Sequence, residues 1–224
     1  MGESGARVRG MGVVTISATY GSGGGEIGRA VATGLDLPFY DQAIPADVAR
    51  RLGVPLPDAE SKDETFDVGL WRVLSSMALA PDLAGAGPLA FATISDERAF
   101  RDQTEQVIIE VAAGAGGVIL GRAGAFVLPR DAPEALHVRL DGPEEARLAV
   151  LARLFPAEAE GTLRHRLRGN DGVRAAYVRR FYRADPAHCQ HYHLVVDSTA
   201  LPWDVVGTMV VAAARARGIG GRPA

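Results

Sequence analysis

The chain has 224 residues, 47% of them hydrophobic, which is enough for one compact core and too little for two full domains. A formal net charge of −3 gives no global basic field to recruit nucleic acid, and the single cysteine, Cys189, excludes an internal disulfide and any cysteine-rich zinc site. The opening MGESGARVRGMG lacks an apolar signal region, and the apolar run Val205 to Ala214 falls far short of the roughly 20 residues of a membrane span, so a soluble, cytoplasmic protein without membrane partners is expected.

Residues 1–11 read as a loose, glycine-rich leader. Gly12-Val-Val-Thr-Ile-Ser-Ala18 is a β-branched apolar run of strand length. A glycine loop, Ala18-Thr-Tyr-Gly-Ser-Gly-Gly-Gly25, follows at once. Residues 26–35 then place apolar side chains at 27, 30, 31 and 35, the spacing of one helical face. Pro38-Phe-Tyr-Asp41 reads as a short second strand ending in a carboxylate.

Helices are expected near 43–52, 67–79 and 95–113, with the breaker-rich stretch 81–88 between the last two. The region 42–105 shows no strand pattern and reads as a helical insertion on the substrate side. Short apolar strands at 117–121, 135–140 and 193–197 then alternate with helical stretches near 143–155, 158–182 and 203–217. That alternation predicts a single α/β domain with three α/β/α layers. Its five-stranded parallel sheet is covered on both faces, and its active-site loops lie at the strands' C-terminal ends.

The glycine loop carries the first chemistry. Between a strand and a helix start, glycines let the backbone approach a ligand closely, and N–H groups with the helix dipole attract phosphate. Gly21, Ser22, Gly23, Gly24, Gly25 and Glu26 are therefore the candidate nucleotide-binding residues. A flexible glycine turn is the bland alternative, and no Lys follows to complete the usual G-x-x-x-x-G-K-[ST]. Glu26 either complements the positive end of the helix or meets magnesium through hard carboxylate oxygens. Asp41 either binds a ribose or base group or caps the next helix.

Of the 24 basic residues only Lys62 is lysine, and the arginines crowd residues 164–183. A GC-rich coding sequence accounts for the bias as well as phosphate recognition does, and a solvated helix face accounts for the crowding. Within it, Asp171, Arg174 and Tyr177 recur at three-residue spacing, on about one helical face. Four of the five histidines lie at 165, 188, 191 and 193, the last three clustering with Cys189, but one thiolate without Cys-x-x-Cys spacing makes a poor zinc pattern.

The passage VTISATYGSGGGEIGRAVATGLDLPFYD resembles the opening of the cytidylate kinase-like family, I-T-I-S-R-x-Y-G-S-G-G-R-E-I, a helix, then P-F-Y-D. Val118-Ile-Leu-Gly-Arg122, Leu136-His-Val, Asp171-Gly-Val-Arg174-Ala-Ala-Tyr177, Asp185-Pro186 and Tyr192-His-Leu-Val-Val continue the likeness in family order. The resemblance implies a P-loop NTPase-like fold with a lid at about 156–184, and Mg²⁺-dependent phosphoryl transfer from ATP to a nucleoside monophosphate such as CMP. It puts Arg122 at the acceptor phosphate and Tyr177 on the substrate. Arg174 and Arg168 fall on the transferring group, with Asp171 orienting Arg174 by a salt bridge. Gly25 stands where the family usually carries Arg, which removes a loop cation from transition-state stabilisation. A catalytically weak nucleotide-binding module and a small-molecule kinase with a non-nucleotide acceptor are the alternative readings.

Overall fold

A computed structural model of the chain describes residues 11–41, 89–121 and 123–221. The first strand, β1 (Val13–Ala18), is the centre of the sheet. It pairs in parallel with β3 (Gly117–Leu120) on one side and β4 (Ala135–Asp141) on the other. Outside these lie β2 (Phe39–Tyr40), parallel to β3, and β5 (Leu194–Asp197), parallel to β4, giving the order β2-β3-β1-β4-β5. All five strands expected from the sequence are present.

Successive strand side chains point to opposite faces, and both faces are covered. Val14 and Ile16 enter a core with Ile27, Val31 and Leu35 of α1 (Gly24–Leu35). Val206, Val210 and Ala214 of the C-terminal helix (Trp203–Ala216) complete that layer. Val13 points the other way, against Val107 and Ile108 of α2 (Leu89–Ala113). Burial on both sides explains why the strands read as continuous apolar runs rather than alternating ones. On α1 the buried residues 27, 31 and 35 recur every four positions, and each such side chain contributes roughly 1.5–3 kcal/mol on leaving water.

The short α3 (Gly124–Val127) precedes β4, and two helices follow that strand: α4 (Glu144–Leu154) and α5 (Glu160–Tyr182). They pack through Leu148, Leu151, Leu163 and Leu167. Arg164 links them from outside by pairing with Glu144, Glu145 and Glu160. The C-terminal helix is α6. The second helical layer starts earlier than its pattern suggested. α2 begins at Leu89, directly after Pro88, instead of at 95, because residues 89–94 are apolar but for Thr93 and lack the polar contrast that marks a face. The helices expected at 43–52 and 67–79 lie outside the described residues, as does most of the 42–105 insertion. No helix among the described residues is long and apolar enough to cross a membrane.

One polar contact crosses the core. His137 on β4 is fully buried, and its Nδ1 lies 2.7 Å from the Thr15 hydroxyl of β1. Its ring stacks on His193 at 5.2 Å between centroids. His193 Nδ1 accepts the His137 backbone N–H at 2.9 Å, while its Nε2 faces the Arg130 carbonyl at 2.8 Å, so that ring is complete in its neutral form. Burial holds His137 neutral, pushing its pKa from 6.5 down to about 4, and the His193 pKa is lowered by the same cause. The unfolded chain therefore takes up protons first as pH falls. Stability from His137 is complete above pH 6.5, is lost progressively towards pH 4, and loses nothing further below it. A separation of this size corresponds to about 3 kcal/mol at 1.4 kcal/mol per unit. Urea unfolding from pH 7.5 to 4 should show this slope in the wild type and a shallower one in His137→Gln. Parallel slopes would remove the histidine as its source.

Candidate active site

The chain leaves the sheet at Ala18, loops through Thr19–Gly23, and turns into α1. Gly21 and Gly23 have φ of +84° and +74°, the left-handed region that a side chain disfavours. A Cβ on Gly23 would stand 2.4 Å from the Trp203 ring, and one on Gly24 would stand 2.6 Å from Cβ of Ala18. The loop is thus pressed flat between the end of β1 and the start of α6. Ser22 locks it from beneath. Fully buried, Ser22 donates its hydroxyl to the Thr19 carbonyl at 2.7 Å and its N–H to the same oxygen at 3.2 Å. Its own carbonyl accepts the Ser198 hydroxyl at 2.7 Å. Buried, and with both its N–H and its hydroxyl donors spent on the Thr19 carbonyl, Ser22 has no donor left for the ligand contact expected of it and serves as a strut.

The N–H groups of Gly23, Gly24, Gly25 and Glu26 have no acceptor among the described residues; the first capping bond of α1 runs from Ile27 to the Gly23 carbonyl. These are the orphan donors of a helix N-terminus, and together with the dipole they form a seat for an anion. They open into a cavity of about 780 Å³ at the C-terminal ends of the strands. Gly21, Glu26, Asp41, Asp171, Arg174 and Tyr177 all border it. Residues from the first loop, the end of β2 and helix α5 therefore border one cavity.

The contacts of α5 differ from expectation in one respect. Asp171 does not pair with Arg174. Its Oδ1 accepts the Tyr20 N–H at 2.8 Å, and its Oδ2 accepts Arg147 at 2.6 Å. Both carboxylate oxygens are engaged by donors from other elements, the first loop and α4, rather than by the residue one turn along. Arg147 lies on α4 with its side chain 9% exposed, and it also donates to the carbonyls of Tyr20 at 2.9 Å and Gly142 at 2.9 Å. Arg174 donates to the Ala18 carbonyl at 2.8 Å. The helix read as a lid therefore grips the loop backbone at Ala18 and Tyr20.

Arg168 is a second correction. It pairs with Glu144 at the start of α4 at 2.8 Å, is 65% exposed and does not border the cavity. Tyr177 borders the cavity while packing in a buried aromatic group, 4.8 Å from Phe181 and 6.2 Å from Tyr182. Arg122 lies outside the described residues. Among the described residues no three His, Cys, Asp or Glu side chains are grouped so as to hold a metal ion.

The floor of the cavity carries a further pair. At the end of β4, Asp141 receives Arg139 on one oxygen at 3.0 and 2.7 Å. Its other oxygen accepts the Gly142 N–H at 2.9 Å and the Thr19 hydroxyl at 3.0 Å. Burial alone would raise this carboxyl's pKa; the Gly142 N–H and the Arg139 guanidinium outweigh it and hold the pKa below the usual carboxylate range.

A family model for the cytidylate kinase-like family matches residues 13–200. The chain belongs to that family. Its five-stranded parallel sheet with helices on both faces is the P-loop kinase fold. Among solved structures, an uncharacterized protein from Eubacterium ventriosum ATCC 27560 is similar over 91% of this chain and 98% of its own, with a TM-score of 0.62 and 14% identity. A shikimate kinase from Acinetobacter baumannii in complex with shikimate is more distant, at a TM-score of 0.47 and 15% identity over 93% of this chain and 95% of its own. The first of these likenesses concerns the fold alone. No curated protein gives a significant match to the sequence.

In this cytidylate kinase-like chain, the sequence reading missed Arg147 and Trp203. Both had a signal. Arg147 sits on the same helical face as Leu148 and Leu151, where an arginine must be buried with partners. Trp203 opens the last helix directly after a strand-end loop, the edge of the sheet at which such folds bind ligands.

Proposed function

We propose that the protein uses Mg-ATP to phosphorylate a nucleoside monophosphate such as CMP, in the cytoplasm and as a single domain whose 42–105 segment meets the acceptor. The observation that carries this reading is the run of unmatched N–H groups from Gly23 to Glu26 at the base of a cavity bordered by Arg174. The bond between the γ-phosphorus and the β,γ-bridging oxygen breaks, ADP departs, and an acceptor phosphate oxygen forms the new P–O bond. The loop N–H groups hold the donor phosphates. Arg174 contacts the transferring group, where charge is spread over three oxygens. Asp171 acts as a positioning residue by fixing Tyr20 and Arg147. Asp41 and Tyr177 border the acceptor side, and Arg122 binds the acceptor phosphate, as the family likeness suggests. A second cavity of about 550 Å³, bordered by Leu154, Leu201, Pro202 and Trp203, adjoins the loop and suits the flat face of the donor base.

Magnesium fits this setting, since it is commonly held by one or two carboxylates plus substrate phosphates, and Glu26 brings a half-exposed carboxylate to the cavity. When bound, it neutralises phosphate charge. The absence of a side chain at Gly25 favours a second reading, a nucleotide-binding module of weak activity.

Mg-ATP is expected to raise the melting temperature, because a ligand at a hundred times its Kd stabilises the folded state by about 2.7 kcal/mol. ADP release across a panel of nucleoside monophosphates, run beside the melts, separates the two readings. Binding without turnover on any acceptor selects the module. Melting curves unmoved by millimolar Mg-ATP and Mg-GTP rule out both.

A further inference from the structure

We propose that Arg29 supplies the cation that the loop lacks at Gly25, touching the transferring phosphoryl group during the reaction. The inference rests on the phosphotransferase reading above. Gly25 lies within α1 and is not among the positive-φ glycines, so its backbone has ordinary helical geometry. A Cβ built there would meet Arg29 Nη2 at 3.3 Å, Cζ at 3.8 Å and Nη1 at 4.0 Å. The Arg29 guanidinium thus folds back one turn and fills the volume that a side chain at 25 would enter. Positions four apart share a helical face, so this return is the natural one. The Phe39 ring beside it, 5.8 Å from Cζ to the centroid, helps to aim the group.

The other arginines bordering the cavity make shorter contacts, Arg174 among them with its bond to the Ala18 carbonyl at 2.8 Å. Arg139 meets Asp141 at 2.7 Å, Arg147 meets Asp171 at 2.6 Å, and Arg179 meets Asp185 at 3.3 Å. Arg29 makes a longer contact, 3.5 Å to Glu26, and its side chain is 59% exposed. It borders the same cavity as the first turn of α1. A guanidinium carries five N–H donors in a planar fork, and one long contact leaves most of them able to turn toward a phosphoryl oxygen. No proton moves in this role: Arg29 stays charged throughout and acts through its donors and its field.

The test compares Arg29→Ala, Arg29→Lys and the double variant Gly25→Arg/Arg29→Ala with the wild type. Calorimetry measures affinity for Mg-ATP and for Mg-ADP with aluminium fluoride, a mimic of the phosphoryl group in flight, and turnover is followed alongside. Arg29→Ala is expected to lower affinity for the fluoride complex, and kcat where an acceptor is known, by about tenfold to a hundredfold, as for other transition-state donors. Mg-ATP affinity should stay within about threefold, since the contact forms mainly in the transition state. Arg29→Lys should retain part of the function, and the double variant should recover most of it by presenting the charge from position 25. A purely structural role, packing on Phe39, would instead weaken both complexes equally and would not be rescued from Gly25. If the wild type binds Mg-ATP while Arg29→Ala leaves the fluoride complex untouched or weakens both ligands alike, the inference is overturned alone. If the wild type does not bind Mg-ATP, the phosphotransferase reading fails and takes the inference with it.

Discussion

Arg174→Ala is expected to lower kcat by about a hundredfold or more, while Arg168→Ala leaves it nearly unchanged. The two arginines are close in sequence, lie on the same helix and carry the same charge, so the pair isolates position. Arg174 borders the cavity and reaches the loop at Ala18, whereas Arg168 pairs with Glu144 in solvent. An interaction stronger in the transition state than in the bound ground state appears in kcat, so ATP affinity should move much less than turnover. Loss of the bond to Ala18 also costs stability, about 1 kcal/mol for a hydrogen bond of this kind. Assays are therefore run well below the melting temperature of both variants. Equal small effects from the two substitutions would leave α5 as an ordinary basic helix.

Arg147→Met is expected to cost about 3 kcal/mol of folding stability, the low end of what removing one partner of a buried ion pair does. Methionine keeps the length and apolar stem of the side chain, so most of the packing against Leu148 and Leu151 survives. What changes is the state of Asp171, whose carboxylate is 24% exposed and loses its cation while still accepting the Tyr20 N–H. The second variant, Arg147→Met/Asp171→Asn, keeps an oxygen for that N–H and deletes the stranded charge. It should recover a substantial part of the loss in urea unfolding, since residues in direct contact are not additive. A double variant that is simply the sum of its parts would show that the ion pair is not the source of the cost.

Much of the fold was legible because its signals are local. Strands buried on both faces are continuous apolar runs, and β1, β3, β4 and β5 stand out as such. α1 announces itself through Ile27, Val31 and Leu35. The loop was legible from glycine alone, since only glycine accommodates both the positive φ at 23 and the Trp203 ring against it. The partnerships were not. Asp171 and Arg174 sit one turn apart, and helical spacing permits the pair, but a carboxylate has few lone pairs and the contest for them is decided in three dimensions. Arg147 is 24 residues away in sequence and Tyr20 is 151 away, and both reach Asp171. Arg168 was misplaced for a related reason: each three-residue step lags a full turn by about 60°, so Arg168, two steps before Arg174, has drifted about 120° from it around the helix. Ser22 read as one more loop residue because nothing in a sequence shows that Ser198 lies beneath it.

The anchoring of the first loop has a thermodynamic consequence. Its backbone is tied at Ala18 and Tyr20 by α5, at Tyr20 again by α4, and at Ser22 by the turn after β5. Each of those partners comes from a distant part of the chain, so the loop takes its shape only once the whole sheet is assembled. Fixing a residue's backbone costs on the order of 1–2 kcal/mol in conformational entropy, and here that cost falls on folding rather than on the arrival of a ligand. The phosphate seat is therefore in place before anything occupies it, and an incoming nucleotide gives up its own freedom without having to order the protein's.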